Sequence, residues 1–241
     1  MDRDNVKNKL RLGYGSEFQL LRMLGRHRAT FSNEVSKALG NEGKVEWFDF
    51  PYSEKRMEFF DSEYTTLDFL ENLGLDPSGE NQKYFEYWPS TGEPQHWDLI
   101  GKTADGYIVL VEAKAHIKEL ISSTGASPRG SLPKIENAFA LVRTRIGVTD
   151  SSPWTKNYYQ LANHIFTCWY LNEIRKIPTV LLNVYFIEDE RPDGYVCPQT
   201  VREWENAIQN EYEYLGISAE LPFIKDHVKS VFIPVNGEPL Q

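Results

Sequence analysis

The run from 96 to 116, HWDLIGKTADGYIVLVEAKAH, constrains the chain more than any other stretch. Trp97-Asp98-Leu99-Ile100 and Tyr107-Ile108-Val109-Leu110-Val111 are apolar, β-favouring segments on either side of Ala104-Asp105-Gly106, the composition of a β-hairpin. The second strand runs on into Glu112-Ala113-Lys114. Alternation along a strand puts the Glu and Lys side chains on one face and Ala113 on the other.

Loop length decides whether Asp98 joins them. A three-residue loop with Gly106 in the left-handed conformation pairs Thr103 with Tyr107 and, counting back, sets Asp98 opposite Glu112. A two-residue loop pairs Asp98 with Ala113 and sends the two carboxylates to opposite faces. In the first case two carboxylates and an ammonium converge at a sheet end. Adjacent carboxylates repel, and a hard cation between them relieves the repulsion. Magnesium takes oxygen ligands, is usually held by one or two carboxylates and keeps several waters. It polarises a phosphoryl oxygen and lowers the pKa of a bound water. Lys114 would orient that water or stabilise charge on phosphorus. These parts suggest phosphodiester hydrolysis.

Asp98, a turn, and Glu112-Ala113-Lys114 at the end of an apolar strand resemble the active-site signature of the PD-(D/E)XK nuclease superfamily. The match is tight only over the hairpin, and Trp97 stands where the family often has Pro. The resemblance implies a restriction-endonuclease-like α/β fold with a mixed central sheet flanked by helices. It also implies Asp98 and Glu112 as metal ligands, the Ala113 carbonyl as a further ligand, and magnesium, replaceable by manganese, as cofactor. Two more residues come from it: Glu17, on a first helix opening Gly15-Ser16-Glu17, and Gln160, on the helix after the Glu-x-Lys strand with His164 one turn on. Glu34 and Glu63 are rivals to Glu17. A second Glu-x-Lys, Glu42-Gly43-Lys44, follows a helix stop with no apolar strand before it and reads as a solvated turn.

The expected architecture is a single domain over 1–241. Residues 1–80 form an N-terminal helical elaboration that includes the first core helix, and 81–241 form the catalytic core. Ser16 and Gln19 fit a capping box, Ser32 an N-cap, Val45–Phe50 a strand, and a further helix runs from about Glu54 or Ser62 to Leu73. Asp76-Pro77-Ser78-Gly79 reads as a turn and Tyr84–Trp88 as the strand before the hairpin. Helices follow over Ile135–Ile146 and Asn157–Lys176, then a strongly apolar strand Val180–Ile187. A Thr200/Glu203 capping box opens a helix to Leu215, and an edge strand Val231–Val235 ends the fold.

Formal charge is −9, from 26 Lys and Arg against 35 Asp and Glu. That counts against a nucleic-acid partner unless cations gather locally. Arg22, Arg26, His27 and Arg28 form one such cluster, and Arg129, Lys134, Arg143 and Arg145 another. Two scattered cysteines exclude a disulfide framework or zinc site, and no phosphate loop or nucleophile elbow is present. With neither an apolar spanning run nor a signal-peptide core, the expectation is a cytoplasmic protein with no membrane partner, as monomer or homodimer. The sequence therefore predicts a magnesium-dependent nuclease acting on DNA rather than RNA. A nuclease-like fold that only binds nucleic acid or protein is the alternative. Paired carboxylates also serve glycoside hydrolysis, which does not call for the lysine.

Overall fold

The computed structural model describes residues 13–40, 44–48, 64–192 and 194–239. Its centre is a five-stranded mixed sheet. Hairpin strands β4 (Leu99–Lys102) and β5 (Ile108–Lys114) are antiparallel, and β1 (Glu46–Trp47) pairs antiparallel with the outer side of β4. On the other side of β5 lie β6 (Thr179–Ile187) and then the edge strand β7 (Val228–Pro234), both parallel to it. All seven residues of β5 and all nine of β6 are buried, as expected of apolar, β-branched strands covered on both faces. A separate two-stranded piece pairs β2 (Tyr64–Thr65) with β3 (His96–Trp97), so the chain changes sheets at Asp98.

Strand alternation divides the core. Leu99, Val109, Val111, Ala113, Leu182 and Val184 pack under α1 (Ser16–Gly25) and α2 (Arg28–Ala38). Ile100, Ile108, Leu110 and Leu181 face the opposite way, towards α3 (Pro77–Tyr84), α4 (Leu132–Ile146) and α5 (Tyr159–Trp169). At the far end of that second face, α6 (Val201–Leu215) covers Tyr185 and Ile187 with Trp204 and Ala207. A short α7 (Pro222–His227) leads into β7.

Several expectations are corrected. Tyr84–Trp88 is no strand: Asp76 accepts from the amides of Ser78 and Gly79, Pro77 takes the first helical position, and the segment ends α3. The first arm of the meander is β1 instead, within the expected Val45–Phe50. Ser16 and Gln19 form no capping box, because Asp189, from beyond β6, accepts from the Gly15 amide and the Gln19 side chain. Ser32 lies inside α2, accepting from Trp47 Nε1, and caps nothing. The helix expected over Asn157–Lys176 is α-helical only to Trp169 and closes in a π-turn, Tyr170–Ile174. The Thr200/Glu203 box and the strands at 179 and 228 match expectation. Residues 49–63, including Glu54, Ser62 and Glu63, lie outside the described residues, as does Glu42-Gly43 of the second Glu-x-Lys. Among the described residues, no helix is long and apolar enough to cross a membrane.

Candidate active site

Loop chemistry sets the hairpin register. Gly106 has φ of 93° and donates to the Thr103 carbonyl at 3.0 Å, and Thr103 donates to the Tyr107 carbonyl at 2.9 Å. The loop is therefore Ala104-Asp105-Gly106, and the ladder pairs Leu99 with Val111. One step further, Asp98 stands opposite Glu112, on the face that carries Ile108 and Leu110. Since β3 has turned away to its own sheet, the Ala113 amide has lost a backbone partner and donates to Asp98 Oδ2 at 2.7 Å. A residue's N–H and C=O point to the same side of a strand, so the Ala113 carbonyl is directed to the Asp98 side as well.

Glu112 and Lys114 are 5% and 9% exposed. The Lys114 ammonium donates to Glu112 Oε1 and, at 2.8 Å, to Gln160 Oε1, while Gln160 Nε2 donates to Glu112 Oε1 at 2.8 Å. Gln160 is held in turn by its amide, which donates to Ser122 Oγ at 2.8 Å, where the strand exit bridges to Tyr158. His164, one turn along α5, has Nδ1 3.8 Å from Glu112 Oε2 and its ring against Trp97. Burial, and then the Lys114 charge, push the His164 pKa down to about 3, so the imidazole is neutral and its contact with Glu112 is not an ion pair. Burial works against the Lys114 charge, but the Glu112 and Asp98 carboxylates outweigh it and raise its pKa. Lys114 is thus an ammonium at neutral pH, suited to stabilising negative charge or orienting water and not to accepting a proton.

Two contributors escaped the sequence reading. Glu211 of α6 and Asn183 of β6 line the same small cavity as Glu112, Lys114, Gln160 and His164. Glu211 is 2% exposed, its Oε2 has no hydrogen-bond partner, and burial pushes its pKa up to about 8 against the pull of Lys114. The signal was there: Glu211 interrupts an apolar stripe of Trp204, Ala207 and Leu215 at helical spacing, and Asn183 interrupts an otherwise apolar strand. Glu17 is placed elsewhere. Its helix packs on the opposite face of the sheet, and Glu17 lines a neighbouring cleft with His116, Lys118 and Glu119. Glu34 is on α2, its side chain 14% exposed and paired with Lys37 at 2.6 Å.

Among the described residues, no group of three or more His, Cys, Asp and Glu is arranged to hold a metal ion. The donors that fit one are two carboxylates, Asp98 and Glu112, with the Ala113 carbonyl, a set suited to a magnesium ion that keeps its remaining waters. The basic clusters are partly committed to the fold: Arg22, Arg28, Lys134 and Arg143 all donate to backbone carbonyls. Compared with protein-family models, curated proteins and solved structures, the chain matches none of them.

Proposed function

We propose that the chain is a magnesium-dependent nuclease of the PD-(D/E)XK type, with a restriction-endonuclease-like fold, that hydrolyses phosphodiester bonds of DNA. The observation that carries the reading is the three-residue loop, which puts Asp98 across from Glu112 with Lys114 on the same face. Asp98, Glu112 and the Ala113 carbonyl would hold the metal, which when bound supplies a polarised phosphoryl oxygen and a more acidic water. Lys114, fixed between Glu112 and Gln160, offers positive charge to the pentavalent phosphorus centre. The Gln160 amide holds the orientation of both partners. Asp98 is half-buried where Glu112 is buried, so a phosphate approaches from the Asp98 side.

The cavity behind Glu112 measures only about 10 Å³, room for about one water. Its narrowness favours a second reading, a nuclease-like fold that binds nucleic acid or protein without cutting. The deciding experiment offers circular plasmid, linear duplex, single-stranded DNA and RNA with magnesium, manganese or chelator, alongside Lys114→Ala. Metal-dependent cutting that disappears in Lys114→Ala supports the nuclease. Cutting that survives the substitution sinks the assigned site, and no cutting of any substrate favours the binding module.

A further inference from the structure

Immediately after Lys114 the chain leaves the sheet through Ala115 and His116 into a 3-10 turn, Ile117–Leu120. Glu119 holds that exit, accepting from the amides of Ala115 at 2.6 Å and His116 at 3.3 Å and from Ser16 Oγ at 3.1 Å. On its outer side is a cleft of about 680 Å³. Its wall is a ladder of flat groups. The His116 and Tyr195 rings stack with centroids 4.7 Å apart and planes 12° from parallel. The Arg191 guanidinium lies 5.1 Å from the Tyr195 ring centre and 4.9 Å from that of Tyr14, and Lys118 Nζ lies 4.7 Å from Tyr195. Tyr195 keeps 40% of its surface in solvent, and its neighbour Val196 is 70% exposed. Glu119 lines both this cleft and the Glu112–Lys114 cavity and so forms a wall common to the two.

We propose that this cleft is a nucleotide subsite, which stacks one unpaired base of the substrate strand on the Tyr195 ladder and holds its phosphate with Lys118 and Arg191. The inference rests on the nuclease reading and extends it to a strand that is single-stranded or frayed beside the reactive centre. Every base has a π face, so an aromatic platform flanked by cations binds a strand without reading its sequence. A duplex base cannot use it, because its faces are covered by its neighbours. Two cations, Lys118 and Arg191, meet at this ladder; of the two carboxylates lining the same cleft, Glu119 is committed to the Ala115 and His116 amides, and Glu17 is the other.

The test is fluorescence anisotropy of the full chain with a labelled oligothymidylate and an abasic strand of equal length, in chelator so that neither is cut. Wild type is expected to prefer oligothymidylate about tenfold, the scale of one stacked base. Tyr195→Ala removes the preference and leaves abasic binding unchanged, Tyr195→Phe restores it, and Lys118→Gln flattens the dependence of log K on log salt by about 0.7. Equal wild-type affinity for the two strands overturns the subsite with no variant needed, as does Tyr195→Ala losing both strands alike, which marks a purely structural ladder. If magnesium-dependent cutting is present while either of those results is obtained, the subsite falls and the nuclease stands. If wild type neither binds nor cuts, both fall.

Discussion

Glu80 and Glu112 are both buried carboxylates with a cation at hydrogen-bond distance, and their surroundings are opposite in kind. Glu80 receives the Arg175 fork on both oxygens, at 2.7 and 2.8 Å, and Lys83 at 2.8 Å. Burial works to raise its pKa, and these donors overcome burial and hold it low. Both cations reach water, so the pair clips α3 to the π-turn at modest cost in desolvation. Around Glu112, one oxygen takes Lys114 and Gln160 together, the other faces a neutral imidazole, and a buried carboxylate with an unmet oxygen lies in the same cavity. A clip needs matched donors and acceptors. Mismatched polar groups gathered under a sheet end are costly to keep, and such groups cluster where chemistry is done.

The largest effect should separate the two pairs by activity. Lys114→Ala is expected to lower metal-dependent cleavage by about 10²–10⁴-fold, the range for losing a positioned acid–base or charged group. Arg175→Ala should leave the rate within a small factor while costing about 1–3 kcal/mol of stability, because buried Glu80 keeps Lys83 on Oε1 but loses the donor to Oε2. Single-turnover cleavage and urea unfolding on both variants check this. Equal loss of activity in the two would erase the distinction.

The pH dependence of stability should have opposite signs for Glu211 and Glu80. The Glu211 pKa is raised from 4.5 to about 8 in the fold, so its contribution is complete below pH 4.5 and is lost as pH rises towards 8. Glu211→Gln, measured by urea unfolding in chelator between pH 5 and 9, should remove a slope worth roughly 2–5 kcal/mol over that span. Glu80, with its pKa lowered, contributes above its unfolded value and loses that contribution on acidification, so Glu80→Gln should flatten the acid side instead. His164, held near 3, adds to the acid-side loss as pH falls from 6.5. A Glu211→Gln protein with an unchanged alkaline slope would mean that the carboxylate finds a partner in solution.

Metal should distinguish the regions next. A ligand bound only to the native state at one hundred times its dissociation constant stabilises by about 2.7 kcal/mol. Magnesium is thus expected to raise the melting temperature of wild type and Arg175→Ala by about 5–10 °C and not that of Asp98→Asn. A rise in Asp98→Asn of the same size would move the ion away from the hairpin.

How much of this was legible in the sequence follows from how local each feature is. The hairpin, the shared face of Glu112 and Lys114, and the two registers open to Asp98 depend on a few adjacent residues and a glycine and were readable, while the choice of the three-residue loop came from the structure. Gln160 was within reach through the resemblance, which implies a Gln on the helix after the Glu-x-Lys strand. Tyr84–Trp88 misled because its aromatics read as a strand. Helical spacing of Glu80 and Tyr84, after an Asp-Pro start, is what buries them. An Asp-Pro turn and an Asp-Pro helix start share the same residues. Glu211 could not be located, since nothing near it says which strand α6 will cover. Asp189 capping α1 from 174 residues away is equally invisible to spacing.

The smallest effect tests that locality. Glu80 and Arg175 lie 95 residues apart and meet only through packing, whereas Asp98 and Glu112 are joined by one loop. Gly106 has φ of 93° and open space where a Cβ would sit, so Gly106→Ala adds backbone strain of about 1 kcal/mol and no clash. A register slip would carry Leu99, Ile100, Val109 and Leu110 to the wrong faces of a doubly covered sheet, which costs far more than the strain. The variant should therefore melt about 2–4 °C lower and cut at the wild-type rate. A fall in cleavage comparable with that of Lys114→Ala would show the reverse order of control: the turn, rather than burial of the strands, holds Asp98 opposite Glu112.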